Sequence, residues 1–314
     1  MEYAKILVNQ VFIMFLLIML GFILYKIKLI SNQTNQQLTG IVLFVVIPAM
    51  IVDSYQIDFE ANEAKNMLLG FVLSLISILI AILISHVLRI GADQKKLVTE
   101  RFSVIFTNCG FMGIPLVYAI FGKLGVFYCN TYLTMFNLIL WTYGVTLMKN
   151  RSGEKRNVRQ VMKSFLSPTI ICIALGLTMY FLKIKLPQPV AKATEYIASM
   201  NTPLAMIVSG VYIAQSNLLA SIKKLRLYYV TLIKSFVIPL IVLAIFAFLP
   251  LDHTLLMTIL VAAACPTAST AMLFANNYKQ DVERASNLFT ICTVFSIISI
   301  PIVILIAQTF VFTR

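Results

Sequence analysis

The sequence predicts an all-α polytopic membrane protein of ten transmembrane helices, arranged as two five-helix repeats of opposite orientation. Three observations carry that prediction. Of 314 residues, 60% are hydrophobic and only 12% charged, more apolar surface than a soluble domain of this size hides. Spans of about 20 apolar residues accommodate it naturally. Basic residues gather in alternate connections between those spans. The longest polar stretch, residues 149–164, leaves five spans on each side. An odd number of crossings makes the second half enter the membrane from the face opposite to the first.

The apolar spans run over residues 8–25, 38–55, 67–88, 102–121, 126–148, 165–182, 198–219, 227–249, 255–275 and 288–312. No basic leader precedes the first and no small-residue cleavage site follows it, so it is expected to be retained rather than removed as a signal peptide. The second holds Pro48 and, towards its far end, Asp53. The fourth contains Asn108, Cys109, Gly110, Gly113 and Pro115. The fifth carries Asn137. Pro203, Ser209 and Gly210 dilute the seventh, and Lys234 lies within the eighth. The ninth is interrupted at Cys265-Pro266-Thr267-Ala268-Ser269-Thr270, and Asn287 borders the tenth. The division predicted is a first repeat over 1–148, a basic linker over 149–164 and a second repeat over 165–314.

Residues 107–116 are the centre of this reading. Hydrocarbon cannot satisfy a bare backbone N–H or C=O, so an apolar span prefers unbroken helix. Pro115 removes a donor and disfavours helix at the residue before it, and the two glycines loosen the flanking turns. A break at that depth is tolerated only where it faces protein or a water-filled cavity. A second break about 150 residues later, at Pro266, makes a pair, and paired breaks mark the substrate site of a transporter. Pro48-Ala49-Met50-Ile51-Val52 is echoed by Pro203-Leu204-Ala205-Met206-Ile207-Val208. The two prolines stand 155 positions apart, against 151 for Pro115 and Pro266, which supports an internal repeat.

The net charge of +13 is a topology signal rather than a nucleic-acid footprint. One set of connections holds Lys26 and Lys28; Arg89, Lys95, Lys96 and Arg101; Lys149, Arg151, Lys155, Arg156, Arg159 and Lys163; Lys223, Lys224 and Arg226; and Lys279 and Arg284. The other holds only Lys5, Lys65, Lys123, Lys183, Lys185, Lys192 and Arg314. The positive-inside rule then places both termini outside the cell membrane. Attraction to anionic lipid, roughly 1 kcal/mol per basic residue near the surface, follows as a by-product. The five cysteines form no Cys-x-x-Cys pair and stand away from His86 and His253, so neither a disulfide framework nor a zinc site is expected.

Asn108 with Gly110-Phe111-Met112-Gly113-Ile114-Pro115-Leu116 resembles the fourth-span motif of the auxin efflux carrier family, which includes plant auxin exporters and bacterial malate or malonate permeases. Pro266-Thr267-Ala268, followed by Leu273-Phe274-Ala275 and Tyr278, resembles its ninth-span motif. Pro48, Pro203 and the stretch from Lys234 to Pro239 also look like family positions. The resemblance extends over the whole chain. In one place it departs: Ala271 stands where plant members have a second proline. The family implies ten spans in two inverted repeats, with broken spans 4 and 9 crossing near the midplane.

At such a crossing, half-helix N-termini offer unpaired N–H groups and a partial positive charge to a carboxylate. Asn108, Thr267, Ser269 and Thr270 add neutral donors. The expected activity is that of a carrier for small organic acid anions, malate-like dicarboxylates in particular, with Asn108, Cys109, Gly110, Pro115, Pro266, Thr267, Ala268, Ser269 and Thr270 around the substrate. Asp53 and Lys234 are candidates for proton or ion coupling, since a charge at bilayer centre costs about 2.5–3.5 kcal/mol on insertion scales. H+ and Na+ are both open as the coupling ion, and so is a homodimer. No cofactor, metal or nucleic acid is expected. The same residues also have purely structural readings. Prolines and glycines serve kinks and close packing, hydroxyls bond their own helix, Lys234 snorkels, Glu100-Arg101 pair at the interface, and Asn137 and Asn287 join helices. A sodium-coupled symporter of the same fold is the nearest rival. An embedded enzyme lacks its His-Glu-x-x-His or Gly-x-Ser-x-Gly motif, and a receptor lacks a signalling domain.

Overall fold

The computed structural model describes residues 2–89, 93–149, 168–216 and 224–312. Among them every regular element is helical, and the single backbone bridge outside a helix joins Thr107 to Thr267. The helices are α1 (Glu2–Lys26), α2 (Asn32–Ser54) and α3 (Ala61–Arg89), then α4 (Gln94–Ile105), α5 (109–121) and α6 (123–149). They continue as α7 (Pro168–Phe181), α8 (Gln188–Ser199), α9 (Asn201–Gln215), α10 (Leu225–Phe246), α11 (His253–Ala264), α12 (Thr270–Asn277) and α13 (Val282–Phe312). The linker predicted over 149–164 lies, after Lys149, outside the described residues.

Seven stretches of this helix set are long and apolar enough to cross a membrane, α5 with α6 and α8 with α9 each counting as one, and α7 and α11 are shorter apolar helices. The fourth span departs from the sequence reading. Its first half, α4, begins at Gln94 in the supposed loop and stops at Ile105. Its second half turns into α6 at Gly122 alone, where φ is 60° and ψ −144°, a backbone conformation that favours glycine. The ninth span is likewise two helices, α11 and α12.

Three of the remaining irregularities have one chemical cause. Wide π turns occupy Val42–Val46, Cys109–Gly113 and Ile233–Val237, and each runs directly into an Ile-Pro pair: Ile47-Pro48, Ile114-Pro115 and Ile238-Pro239. A proline ring collides with the carbonyl four residues back and has no N–H to give it. Widening the turn by one residue relieves the collision, and the isoleucine N–H reaches five residues back, to Val42, Cys109 and Ile233 respectively. A π turn inside a helix is a frequent mark of a functional region.

Side-chain contacts define two ends. At one, Lys26 donates to the Ala214 carbonyl, Arg226 to Leu88 and Gln280 to Met148. At the other, Lys123 pairs with Asp53, Tyr180 bonds Glu60, Lys185 donates to Gln56, and Tyr128 bonds Glu63. Helices therefore run alternately from end to end. Between the ends, α1 exposes Val8, Phe12, Leu16, Leu20 and Ile23, and α13 exposes Val294, Ile298, Ile302 and Leu305. Exposed apolar stripes at helical spacing need lipid to cover them. The closest packing joins α1 to α9: a Cβ on Gly21 would sit 2.1 Å from the Ile207 carbonyl, and one on Gly210 2.0 Å from that of Ile18. Small residues allow backbones to meet in this way.

Candidate functional site

The two interruptions meet. Thr107 and Thr267 face each other as an antiparallel bridge; the Asn108 N–H donates to the Pro266 carbonyl at 2.7 Å and the Ala268 N–H to Phe106 at 3.0 Å. Each broken helix thus satisfies the other's freed backbone, the condition that membrane depth imposes. The sequence brings this about locally. Asn108 has φ −80° and ψ 44°, outside the helix, and its carbonyl accepts from Met112 and Gly113 to start α5. Cys265 is extended, with ψ 147°, as the residue before a proline prefers.

Asn108 is 4% exposed, and its side-chain Nδ2 has no hydrogen-bond partner among the described residues. The first turn of α5 directs the N–H groups of Cys109, Gly110 and Phe111 outside the helix ladder, and the start of α12 does the same at Thr270. Cys109, Thr267 and Ala268 are buried, as are Pro115 and Pro266, while Gly110, Ser269 and Thr270 are half-buried. The Thr267 hydroxyl donates across the crossing to the Ser103 carbonyl of α4 at 2.9 Å, not to its own helix. The Thr270 hydroxyl is unpartnered among the described residues. Gly113 lies against α11: an added Cβ would stand 3.3 Å from the Cys265 sulfur. Gly110 has ordinary room, with Ile47 at 3.6 Å.

Lys234 does not snorkel. It is fully buried, in the π turn of α10, with Nζ 3.4 Å from the Ala263 carbonyl at the end of α11. The π turn aims the lysine side chain into the bundle along with Ile233 and Ser235, all of them buried. Asp53 is apart from the crossing. It pairs with Lys123 at 2.8 Å and lines a cavity of about 170 Å³ with Met50, Ser54, Tyr118 and Thr202.

Glu100 and Arg101 are not a pair. Glu100 is fully buried and takes both Arg226 and Arg284, with Arg226 Nε at 2.9 and 3.0 Å from the two carboxylate oxygens. Arg101 bonds Ser85, His86 and Tyr143 instead. Nothing local in the sequence announces this cluster, because its partners lie 126 and 184 residues away. Asn137 and Asn287 do not join helices through their amide nitrogens: these bond Leu133 and Glu283 of their own helices. All five cysteines are free.

Lipid-facing stripes and an all-helical bundle with two mutually satisfied breaks define a multi-pass membrane protein. A model of the family described as membrane transport protein matches residues 6–304. The chain belongs to that family, the auxin efflux carrier family of the sequence motifs, and is a membrane transporter, not an enzyme. Relatives include the uncharacterized transporter MJ1031 of Methanocaldococcus jannaschii, 21% identical over 94% of this chain and 96% of the relative. An uncharacterized transporter of Methanothermobacter thermautotrophicus is 24% identical over 91% of this chain and 93% of its own. A transporter has a substrate and a bilayer as its partners.

Proposed function

We propose that the chain is a secondary carrier of small organic acid anions of the malate or malonate class, holding them where the two breaks cross and working by alternating access. The observation that carries the proposal is the Asn108 amide, buried beside the Thr107–Thr267 bridge with its nitrogen unpartnered among the described residues. A buried donor left without an acceptor costs about 1–3 kcal/mol, a cost that a carboxylate oxygen would remove. The N-termini of α5 and α12 add partial positive charge without a fixed ionic bond, so the anion is held weakly enough to leave. Asn108, Cys109, Gly110 and Pro115 form one wall of this site, and Pro266, Thr267, Ala268, Ser269 and Thr270 the other.

Ten spans in two inverted repeats, 1–148 and 165–314 around the linker 149–164, account for the paired breaks and for helices running alternately between the two ends. The clustering of Lys26, Lys149, Lys224 and Arg226 towards one end supports placing that end in the cytoplasm of the cell membrane and both termini outside. Asp53, beside the cavity at the opposite end, and Lys234, at the crossing, are the ionisable groups on which a coupling ion, H+ or Na+, would act. The lipid-facing stripes are also where a second copy would dock in a homodimer. The test is uptake of radiolabelled malate and malonate into proteoliposomes. Asn108→Ala is expected to fall roughly tenfold or more at unchanged folding, the loss of about one hydrogen bond to a charged group; unchanged uptake contradicts the site. Uptake that requires sodium would favour the symporter.

A further inference from the structure

We infer that Lys234 is a built-in cation, standing where a mobile coupling cation would otherwise sit, so that anion transport by this chain is independent of sodium. The inference rests on the proposed function and deepens it. The last carbonyls of α11 lack intrahelical donors and carry the negative end of the helix dipole. Unwound carbonyls and half-helix C-termini are the places where carriers coordinate sodium. Here the place is taken. The Lys234 Nζ lies against the Ala263 carbonyl, one residue before the end of α11, and the next turn of backbone is already the unwound Cys265-Pro266. The chain reaches this position because the π turn Ile233–Val237, just ahead of Pro239, turns Lys234 inwards with Ile233 and Ser235, all of them buried.

The ammonium's surroundings also fit a counter-ion. It is fully buried, and no carboxylate of the described residues forms an ion pair with it. A fully buried ammonium without a fixed anion is costly. A substrate carboxylate arriving at Asn108 would lower that cost, because Asn108 bonds the Pro266 carbonyl, three residues past the Ala263 carbonyl that Lys234 meets. The lysine then supplies the positive charge that a co-transported cation supplies elsewhere, and it stays with the protein.

The experiment measures malate and malonate uptake into proteoliposomes in sodium, potassium and N-methylglucamine buffers. The wild-type rate is expected to agree within about twofold among the three. Lys234→Met, which keeps the volume and removes the charge, is expected to lose roughly tenfold or more in all three. Lys234→Ala is expected to be partly restored by sodium or methylammonium, which a purely structural lysine would not show. Sodium-dependent wild-type uptake overturns the inference while leaving the carrier function intact. So does a folded Lys234→Met with wild-type rates. If Lys234→Met does not fold, the wild-type ion series decides. Failure of the wild type to transport either acid in any buffer removes the proposed function and the inference together.

Discussion

Two glycines three residues apart make opposite demands. Gly113 packs against Cys265 and Cys109, each 3.3 Å from where a Cβ would stand, while Gly110 would place one no closer than 3.6 Å to Ile47. Gly113→Ala is therefore expected to cost about 1–3 kcal/mol by overpacking and to lower the melting temperature of the purified protein. Gly110→Ala should stay within about 0.5 kcal/mol of wild type. Equal effects would mean that α5 and α11 are not packed as described. The sequence shows both glycines and the proline beside them, but not which glycine is needed for close approach, since that depends on a cysteine 152 positions further on. The role of Lys234 was equally hidden. A lysine two turns into an apolar helix reads as a snorkelling residue until the bundle is seen to close over it. Asn108 is the reverse case: an amide in an apolar run, between a threonine and a cysteine, has no local reason to be there.

Between elements, the buried Glu100 is the principal ionic tie. It joins α4 to α10 and α13, and Arg226 extends the tie to the Leu88 carbonyl of α3. Two arginines around one carboxylate leave two positive charges uncompensated if the acid is neutralised. Glu100→Gln is expected to destabilise by about 3–5 kcal/mol, read as a fall in melting temperature, with part of the loss recovered in Glu100→Gln/Arg284→Met. Wild-type stability for the single variant would show that the cluster is solvated. Three of the four π turns among the described residues were within reach of the sequence, because each precedes an Ile-Pro pair inside an apolar span and a proline clashes with the turn before it. The fourth, Leu140–Gly144, precedes no proline, and Ile300-Pro301 lies in regular helix. The end points of α4 were not within reach. Gln94-Lys95-Lys96 reads as a loop because its charge is high, yet its backbone is the first turn of a helix.

For the whole molecule, composition was enough to establish a helical membrane protein, and the alternation of basic connections agrees with the two ends seen in side-chain contacts. The meeting of the two breaks was implied by family resemblance rather than by residue pattern, because bridge formation between Thr107 and Thr267 involves backbone groups that carry no sequence signature. The account stands on that meeting point as an anion site. Its most direct test is the melting temperature of the purified protein with increasing malate and malonate, since a ligand that binds only the folded state raises stability in proportion to the logarithm of its concentration. The expected result is a rise for wild type that continues with the logarithm of concentration and is lost in Asn108→Ala. An equal rise in both proteins, or none with any small organic acid, would contradict it.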